Sequence, residues 1–148
     1  MKLRKLPIIT LFIGAVLGMG PHDRAHAEGA DAPQAEVTEP KPGTPERKAI
    51  MDAMRVPVSK HVGKSVTFTG EVRVKGDWAC FRGNVAPTDG KVPEDEDIAA
   101  DLELDFFALL EKDGDGKWQV KHWGFSGDIS VSEEAREKFP EAPEELFE

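Results

Sequence analysis

The chain has 148 residues, and its 19 Lys and Arg against 28 Asp and Glu give a formal net charge of −9 at pH 7. Proteins that bind nucleic acid neutralise its phosphates with clustered Lys and Arg, so this balance predicts no nucleic-acid partner. A single cysteine excludes an internal disulfide framework. Because Cys80 lies between Ala79 and Phe81 in an apolar run, we expect a buried, reduced thiol.

The N-terminus has the three parts of a secretory signal peptide. Three basic residues among the first five precede an apolar run over 6–19, and a polar stretch then ends in Ala25-His26-Ala27. The alternative is a membrane anchor, but a span needs about 20 apolar residues and this run is interrupted by Pro7 and two glycines. We therefore predict a signal peptide over 1–27, cleavage near Ala27, and a periplasmic or secreted protein without stable membrane insertion.

The mature chain is predicted to contain a linker and one domain. Cleavage would remove four basic residues and one acidic residue, which changes the net charge from −9 to −12. Residues 28–43 contain three prolines and only one large aliphatic residue, so we predict a disordered linker. Residues 44–148 are sufficient for a single domain with one core.

One amphipathic helix is predicted at the start of this domain. Thr44 provides an N-cap hydroxyl, Pro45 suits the first helical position, and Glu46 places an acid in the first turn. Val56-Pro57 is predicted to end the helix, because a residue that precedes proline avoids the helical conformation. The expected helix covers 45–55.

Four strands are predicted to follow. Apolar and polar residues alternate from Ser65 to Lys75, which is typical of a half-buried antiparallel strand. A turn at Gly76-Asp77 leads to a second strand over 78–85, and a loop is expected over 93–101. The third strand, 102–111, is joined to the fourth, 117–125, by a hairpin at 113–116. Ser132 is the expected N-cap of a short C-terminal helix that ends at Lys138, and the tail after it is expected to dock on the domain.

Both faces of the predicted sheet carry apolar residues. In the third strand, Phe107 and Leu109 alternate with the even-numbered apolar residues from Leu102 to Leu110. Strict alternation in the fourth strand places Trp118, Val120 and His122 on one face; Trp123 and Phe125 lie on the other, with Phe107 and Leu109. One helix covers only one face. The second must be covered by the tail, by a partner subunit in a homodimer, or by a ligand.

Four segments together resemble an uncharacterised family of small exported bacterial proteins. The segments are PERKAIMDAMR at 45–55, GDWACFRG at 76–83, FALLEKDGDGKWQVKHWGFSGDIS at 107–130 and PEAPEELF at 140–147. Cys80 replaces an aromatic residue of the family, and Glu111-Lys112 replaces Arg-Lys. The resemblance implies an α+β fold in which an N-terminal helix packs on a four-stranded antiparallel curved sheet, similar to cystatin-like or nuclear-transport-factor-2-like domains. It implies no catalytic residues.

The acidic turns are predicted to be structural, and no metal or cofactor is expected. The loop that begins at Asp113 starts like a calcium loop, but Gly124 stands where an EF-hand needs a bidentate acid. The four acids at 94–97 are interpreted as a solvated face. His61 and His122 are the histidines that remain after cleavage, and they lack the spacing of a zinc site.

The residue types favour binding over catalysis, because no set of nucleophile, base and orienting residue is recognisable. We predict an exported, soluble, small binding or accessory module whose partner is an unidentified small molecule or protein. The alternative is a small enzyme that uses a cavity between helix and sheet. The candidate ligand-binding residues are Arg55, Arg73, Trp78, Trp118, His122 and Trp123.

Overall fold

The computed structural model describes residues 35–127 and 130–148, so the predicted signal peptide lies outside the described residues. The elements are α1 (Pro45–Val62), β1 (Val66–Lys75), β2 (Trp78–Pro87), α2 (Glu96–Asp101), β3 (Asp105–Lys112), β4 (Trp118–Ser126), α3 (Val131–Lys138) and a 3₁₀ turn (Glu144–Leu146). None of the helices in the described ranges is both long enough and apolar enough to span a bilayer.

The four strands form one curved, open sheet in the order β1-β2-β3-β4, and each neighbouring pair is antiparallel. Short turns connect β1 to β2 and β3 to β4, whereas the longer connection from β2 to β3 contains α2. Strands that follow each other in the chain are neighbours throughout the sheet. The predicted α+β fold, a helix followed by a four-stranded antiparallel sheet and a short C-terminal helix, is confirmed.

Helix α1 begins as predicted and extends further than predicted. The Thr44 hydroxyl accepts a hydrogen bond from the Arg47 amide, and Pro45 occupies the first turn. The prediction that Pro57 ends the helix is wrong, because α1 continues to Val62. Proline removes one backbone hydrogen bond, but continuation buries Val58 and Val62, which are 0% and 5% exposed. Gly63 caps the helix after Val62, with a left-handed φ of 73°.

The predicted loop at 93–101 contains helix α2, and β3 begins at Asp105 rather than at residue 102. The acidic residues of this segment explain why it forms a helix. The Asp95 carboxylate accepts hydrogen bonds from the amides of Asp97 and Ile98 at 3.0 and 3.2 Å, which is the bonding of an N-cap. Acids in the next two positions favour the N-terminal end of a helix.

Helix α3 likewise starts earlier than predicted. Its N-cap is Ser130, whose hydroxyl accepts from the Glu133 amide, and not Ser132. The predicted linker is described only over residues 35–43. Within that stretch Thr38 exchanges two 2.8 Å backbone hydrogen bonds with Val74 at the edge of β1. Ordered structure therefore begins upstream of Thr44.

A β-bulge in β4 changes which side chains share a face. Leu110 pairs with Val120, and the neighbouring Leu109 pairs with His122, so Lys121 is an extra residue in β4. The alternation of β4 is shifted by one position beyond the bulge. Trp123 and Phe125 therefore lie on the same face as Trp118, and the prediction that they oppose it is wrong.

The core consists of two apolar clusters, one on each face of the sheet. The first cluster lies between α1 and the sheet and includes Ile50, Met54, Phe81, Phe106 and Leu110. The second cluster lies between the sheet and the C-terminal segment and includes Trp78, Cys80, Phe107, Leu109, Ala135 and Leu146. The C-terminal tail covers the second face, and it is one of the three covers that were considered. The prediction that this face is covered by something other than α1 is confirmed for Phe107 and Leu109.

Candidate ligand-binding cleft

The six candidate ligand-binding residues do not form one site. Arg55 lies on α1, and Trp118 and Trp123 pack in or against the first cluster. Arg73, Trp78 and His122 lie on the second face, where Arg73 is directly opposite Cys80 in the β1–β2 register. The sheet itself therefore separates the set into two groups.

Both candidate arginines already have partners within the protein. The Arg55 guanidinium is ion-paired with Asp52, and its Nε lies 3.3 Å from the Val66 carbonyl oxygen. Arg73 donates a 3.0 Å hydrogen bond to the carbonyl of Glu145. Each stabilises the contact between two elements, which gives both residues a structural role.

The candidate aromatic residues and His122 are mainly packing residues. Trp78 and Trp118 are 8% and 7% exposed, and Trp123 lies 6.0 Å from Phe106 between ring centroids. His122 was expected on the face of Trp118, and this is wrong because the bulge turns it to the second face. There its Nε2 lies 3.3 Å from a Glu134 carboxylate oxygen, so the pair connects β4 to α3.

The tail is held by its backbone as well as by its side chains. Three successive carbonyl groups, those of residues 145–147, accept hydrogen bonds from Arg73, from the Cys80 thiol at 3.1 Å, and from Arg82. Lys75 also pairs with the Glu145 carboxylate, and this hydrogen bond lowers the pKa of Glu145. Strands β1 and β2 thereby fix the 3₁₀ turn at the end of the tail over the second cluster.

Cys80 lies beneath this tail. Its side chain is 1% exposed, and burial raises the pKa of the thiol, although the positive charges of Arg82 and Arg73 act in the opposite direction. The thiol is free and buried, so the prediction of its burial is confirmed.

The turn at Asp113 is a hairpin, as predicted. The Asp113 carboxylate accepts hydrogen bonds from the backbone amides of Asp115 and Lys117 at 2.9 and 3.0 Å, and these bonds lower the pKa of Asp113. Gly116 closes the turn with a φ of 76°. Over residues 35–127 and 130–148, no group of three or more His, Cys, Asp or Glu is arranged to hold a metal ion.

A cleft of about 650 Å³ opens where one end of the sheet meets the start of α3. All four strands and α3 contribute to it. Phe106 and Phe107 border it but are only 1% and 3% exposed. Its polar lining includes Glu71, Arg82, Asp105, Ser126, Ser130, Ser132 and Glu133. A recess of this size with several convergent polar groups has the character of a small-ligand site.

Arg82 is the distinctive residue of the cleft. Its guanidinium lies 5.5 Å from the centroid of the Phe107 ring, and one of its terminal nitrogens donates to the Phe147 carbonyl. Its Nε is buried and has no hydrogen-bond partner among the described residues. Among the residues that the structure describes, Arg82 has no ion-pair partner.

Arg82 was not among the candidates from the sequence, although one signal was present. It is the only charged residue in β2, WACFRGNVAP. A lone arginine within an otherwise uncharged strand needs an acceptor on the face to which it points, and that requirement is visible without coordinates.

These features define a small α+β domain with helical segments on both faces of one antiparallel sheet and a polar cleft at one end. No protein-family model matches the chain, and neither a curated protein nor a solved structure gives a significant match.

Proposed function

We propose that this chain is an exported binding domain that holds a small molecule in the cleft at Arg82. The observation that carries the proposal is the Arg82 side chain. It lines a cleft, its Nε–H is buried, and it has neither a hydrogen-bond partner for that group nor an ion-pair partner among the described residues. An arginine without an ion-pair partner can bind an acceptor group of a ligand through the part of its guanidinium that lines the cleft.

The volume of the cleft supports this proposal. Small-ligand pockets are typically about 300–1,000 Å³, with apolar walls and a few polar groups that fix orientation. The cleft combines about 650 Å³ with polar side chains from separate elements. Elements fixed by a common sheet hold such groups at constant spacing, which is required of a binding site.

The alternative of an enzyme with a cavity between the first helix and the sheet has less support. The side chains of Ile50, Met54 and Val58 fill that interface, and each is 0% exposed. The cleft lies at α3, and among the described residues its polar lining consists of serines, acids and Arg82, without histidine, cysteine or lysine. Such a lining favours recognition of a ligand.

Export is part of the proposal, and it predicts a defined N-terminus. The Ala25-His26-Ala27 sequence is the expected cleavage site, so the mature protein is expected to begin at Glu28. Mass spectrometry of intact protein from the exported fraction measures this directly. Retention of residues 1–27 in that fraction would contradict the prediction.

The binding function is tested by recovery of the ligand. Protein is purified under native conditions from the exported fraction of its host, and the small molecules released by denaturation are measured by mass spectrometry. We expect at least one compound in stoichiometric amount with the unaltered protein, and about ten-fold less with Arg82→Gln. Loss of a charge-assisted hydrogen bond of about 1.5–3 kcal/mol predicts at least this change.

A matched control distinguishes the loss of a contact in the cleft from a disturbance of the tail. Arg73→Gln also removes a hydrogen bond to a tail carbonyl, but Arg73 does not line the cleft. Recovery with Arg73→Gln is expected to equal that of the unaltered protein. A second variant, Glu133→Trp, obstructs the cleft from an exposed position and leaves Arg82 in place. Equal recovery with all three variants, or no recovered compound, would contradict the proposed function.

A further inference from the structure

The charges around the cleft carry an inference about the ligand, which rests on the proposed function. We propose that the ligand is a small zwitterion, with a carboxylate bound by Arg82 and an ammonium group bound by the acidic rim. The two parts of this assignment come from different residues of the cleft.

The carboxylate is the ligand group assigned to Arg82. A guanidinium keeps its charge at all physiological pH values, and burial of a charge is tolerated when the charge is paired and hydrogen-bonded. Among the described residues Arg82 is bonded to one neutral carbonyl, that of Phe147, and its Nε–H has no acceptor. A carboxylate matches the planar donor geometry of arginine and can bond the guanidinium where it lines the cleft. Its negative charge competes there with that of Glu71, which is directly opposite Arg82 in the β1–β2 register.

The ammonium group is required by the rim. Glu71 from β1, Asp105 from β3 and Glu133 from α3 line the same cleft, and all three are exposed at its edge. Together with Arg82 they give the cleft a net charge of about −2 at neutral pH. This field disfavours phosphates and dicarboxylates, because like charges at close range repel. A ligand that offers a carboxylate to Arg82 therefore needs a positive group as well.

The serine hydroxyls are compatible with both ends of such a ligand. Ser130 and Ser132 lie with their oxygens 2.8 Å apart at the start of α3, and Ser126 lines the cleft from β4. A hydroxyl donates to a carboxylate and accepts from an ammonium group. These residues add hydrogen bonds without a preference of charge, so the charged residues determine selectivity.

Three probes of one length test the assignment. The exported protein, labelled with ¹⁵N, is titrated separately with 6-aminohexanoate, hexanoate and hexylamine, and the amide resonances of Gly83 and Gly127, which line the cleft, are followed. We expect 6-aminohexanoate to shift both resonances with an affinity about ten-fold or more above either other probe, because only it satisfies Arg82 and the rim together. Equal shifts with hexanoate or hexylamine, or no shift with 6-aminohexanoate at millimolar concentration, would overturn the proposal.

Variants assign the two charges to their residues. Arg82→Gln is expected to lower the affinity for 6-aminohexanoate about ten-fold, to the level of hexylamine, whereas Arg73→Gln leaves it unchanged. Glu71→Gln is expected to weaken hexylamine and to strengthen hexanoate. The same response to Arg73→Gln as to Arg82→Gln would show an effect through the tail, and the assignment would then be wrong.

Asp128 is the competing counter-ion to exclude, because it follows Gly127 in the sequence and lies outside the described residues. If Asp128 neutralised Arg82, Asp128→Asn would raise the affinity for hexanoate about ten-fold, and the zwitterion assignment would fall. We expect the three probes to bind Asp128→Asn in the same order of affinity as they bind the unaltered protein. A compound recovered from the host that shifts Gly83 and Gly127, but lacks a carboxylate or an amine, would overturn this inference and leave the proposed function standing.

Discussion

Gly70→Ala is expected to destabilise the domain by at least about 3 kcal/mol, at the upper end of the usual cost of overpacking. Gly70 and Gly83 are directly opposite each other in the β1–β2 register. A Cβ atom on Gly70 would lie 2.1 Å from the Arg82 carbonyl oxygen and 2.6 Å from the Gly83 Cα. Because these neighbours are backbone atoms, no side-chain rotation relieves the clash, and the two strands must separate.

Gly83→Ala is expected to have the same effect for the reciprocal reason. Its Cβ would lie 2.2 Å from the Thr69 carbonyl oxygen and 2.7 Å from the Gly70 Cα. Since domains of this size are stable by about 5–15 kcal/mol, either change removes a large fraction of the stability. Urea denaturation, followed by far-UV circular dichroism, measures the free energy of unfolding of each variant.

Gly114→Ala is the matched control for this prediction. It makes the same chemical change in an exposed hairpin, where a Cβ would have no neighbour within 4 Å. Its expected effect is within about 0.5 kcal/mol of zero. If Gly70→Ala and Gly83→Ala unfolded at the same urea concentration as Gly114→Ala, the close approach of β1 and β2 at this point would be incorrect.

Local sequence chemistry was sufficient to predict the start of α1, strand β1 and the hairpin after β3. Each of these features depends on residues that are close in the chain. They are the Thr44-Pro45 helix start, the alternation from Val66 to Lys75, and the turn formed by Asp113 and its glycines. The end of α1 could not be predicted in this way. Burial of Val58 and Val62 against the sheet outweighs the lost hydrogen bond of Pro57, and that burial is a tertiary effect.

The bulge in β4 had the largest effect on the predicted positions of site residues. One extra residue, Lys121, reverses the faces of His122, Trp123 and Phe125 relative to strict alternation. Nothing in the sequence WQVKHWGF distinguishes a continuous strand from a bulged one, because both patterns leave apolar residues facing a core.

The cleft could not be predicted, because it is formed by contacts that sequence patterns do not encode. Arg82 reaches a backbone carbonyl 65 positions away, at Phe147, and the residues around it come from every strand and from α3. Backbone acceptors are present at every position of a chain, so no residue type marks the one that an arginine will use. The composition of β2 indicated that Arg82 needed a partner, and only the fold identifies the cleft beside it.

Leu146→Asp is expected to release the tail from the sheet and to make Cys80 reactive. Leu146 is 0% exposed in the second cluster, where full burial of a leucine contributes about 1.5–3 kcal/mol. A carboxylate at this position has no partner and cannot remain buried. Release uncovers the Cys80 thiol, whose Sγ lies 3.1 Å from the Leu146 carbonyl oxygen, and leaves it beside Arg73 and Arg82. Positive charges near an uncovered thiol lower its pKa and favour the thiolate.

The measurement is the rate of thiol labelling by a bulky reagent, together with the fluorescence of an apolar dye. Far-UV circular dichroism distinguishes release of the tail from global unfolding. If Leu146→Asp does not fold, Leu146→Ala is used in its place, and it is expected to lower the free energy of unfolding by about 2–5 kcal/mol. Val92→Asp adds the same charge at a side chain that is 70% exposed, and it is expected to label as slowly as the unaltered protein. If Cys80 remained equally protected in the folded Leu146 variants and the dye stayed silent, the cover of the second face would have to be something other than the tail.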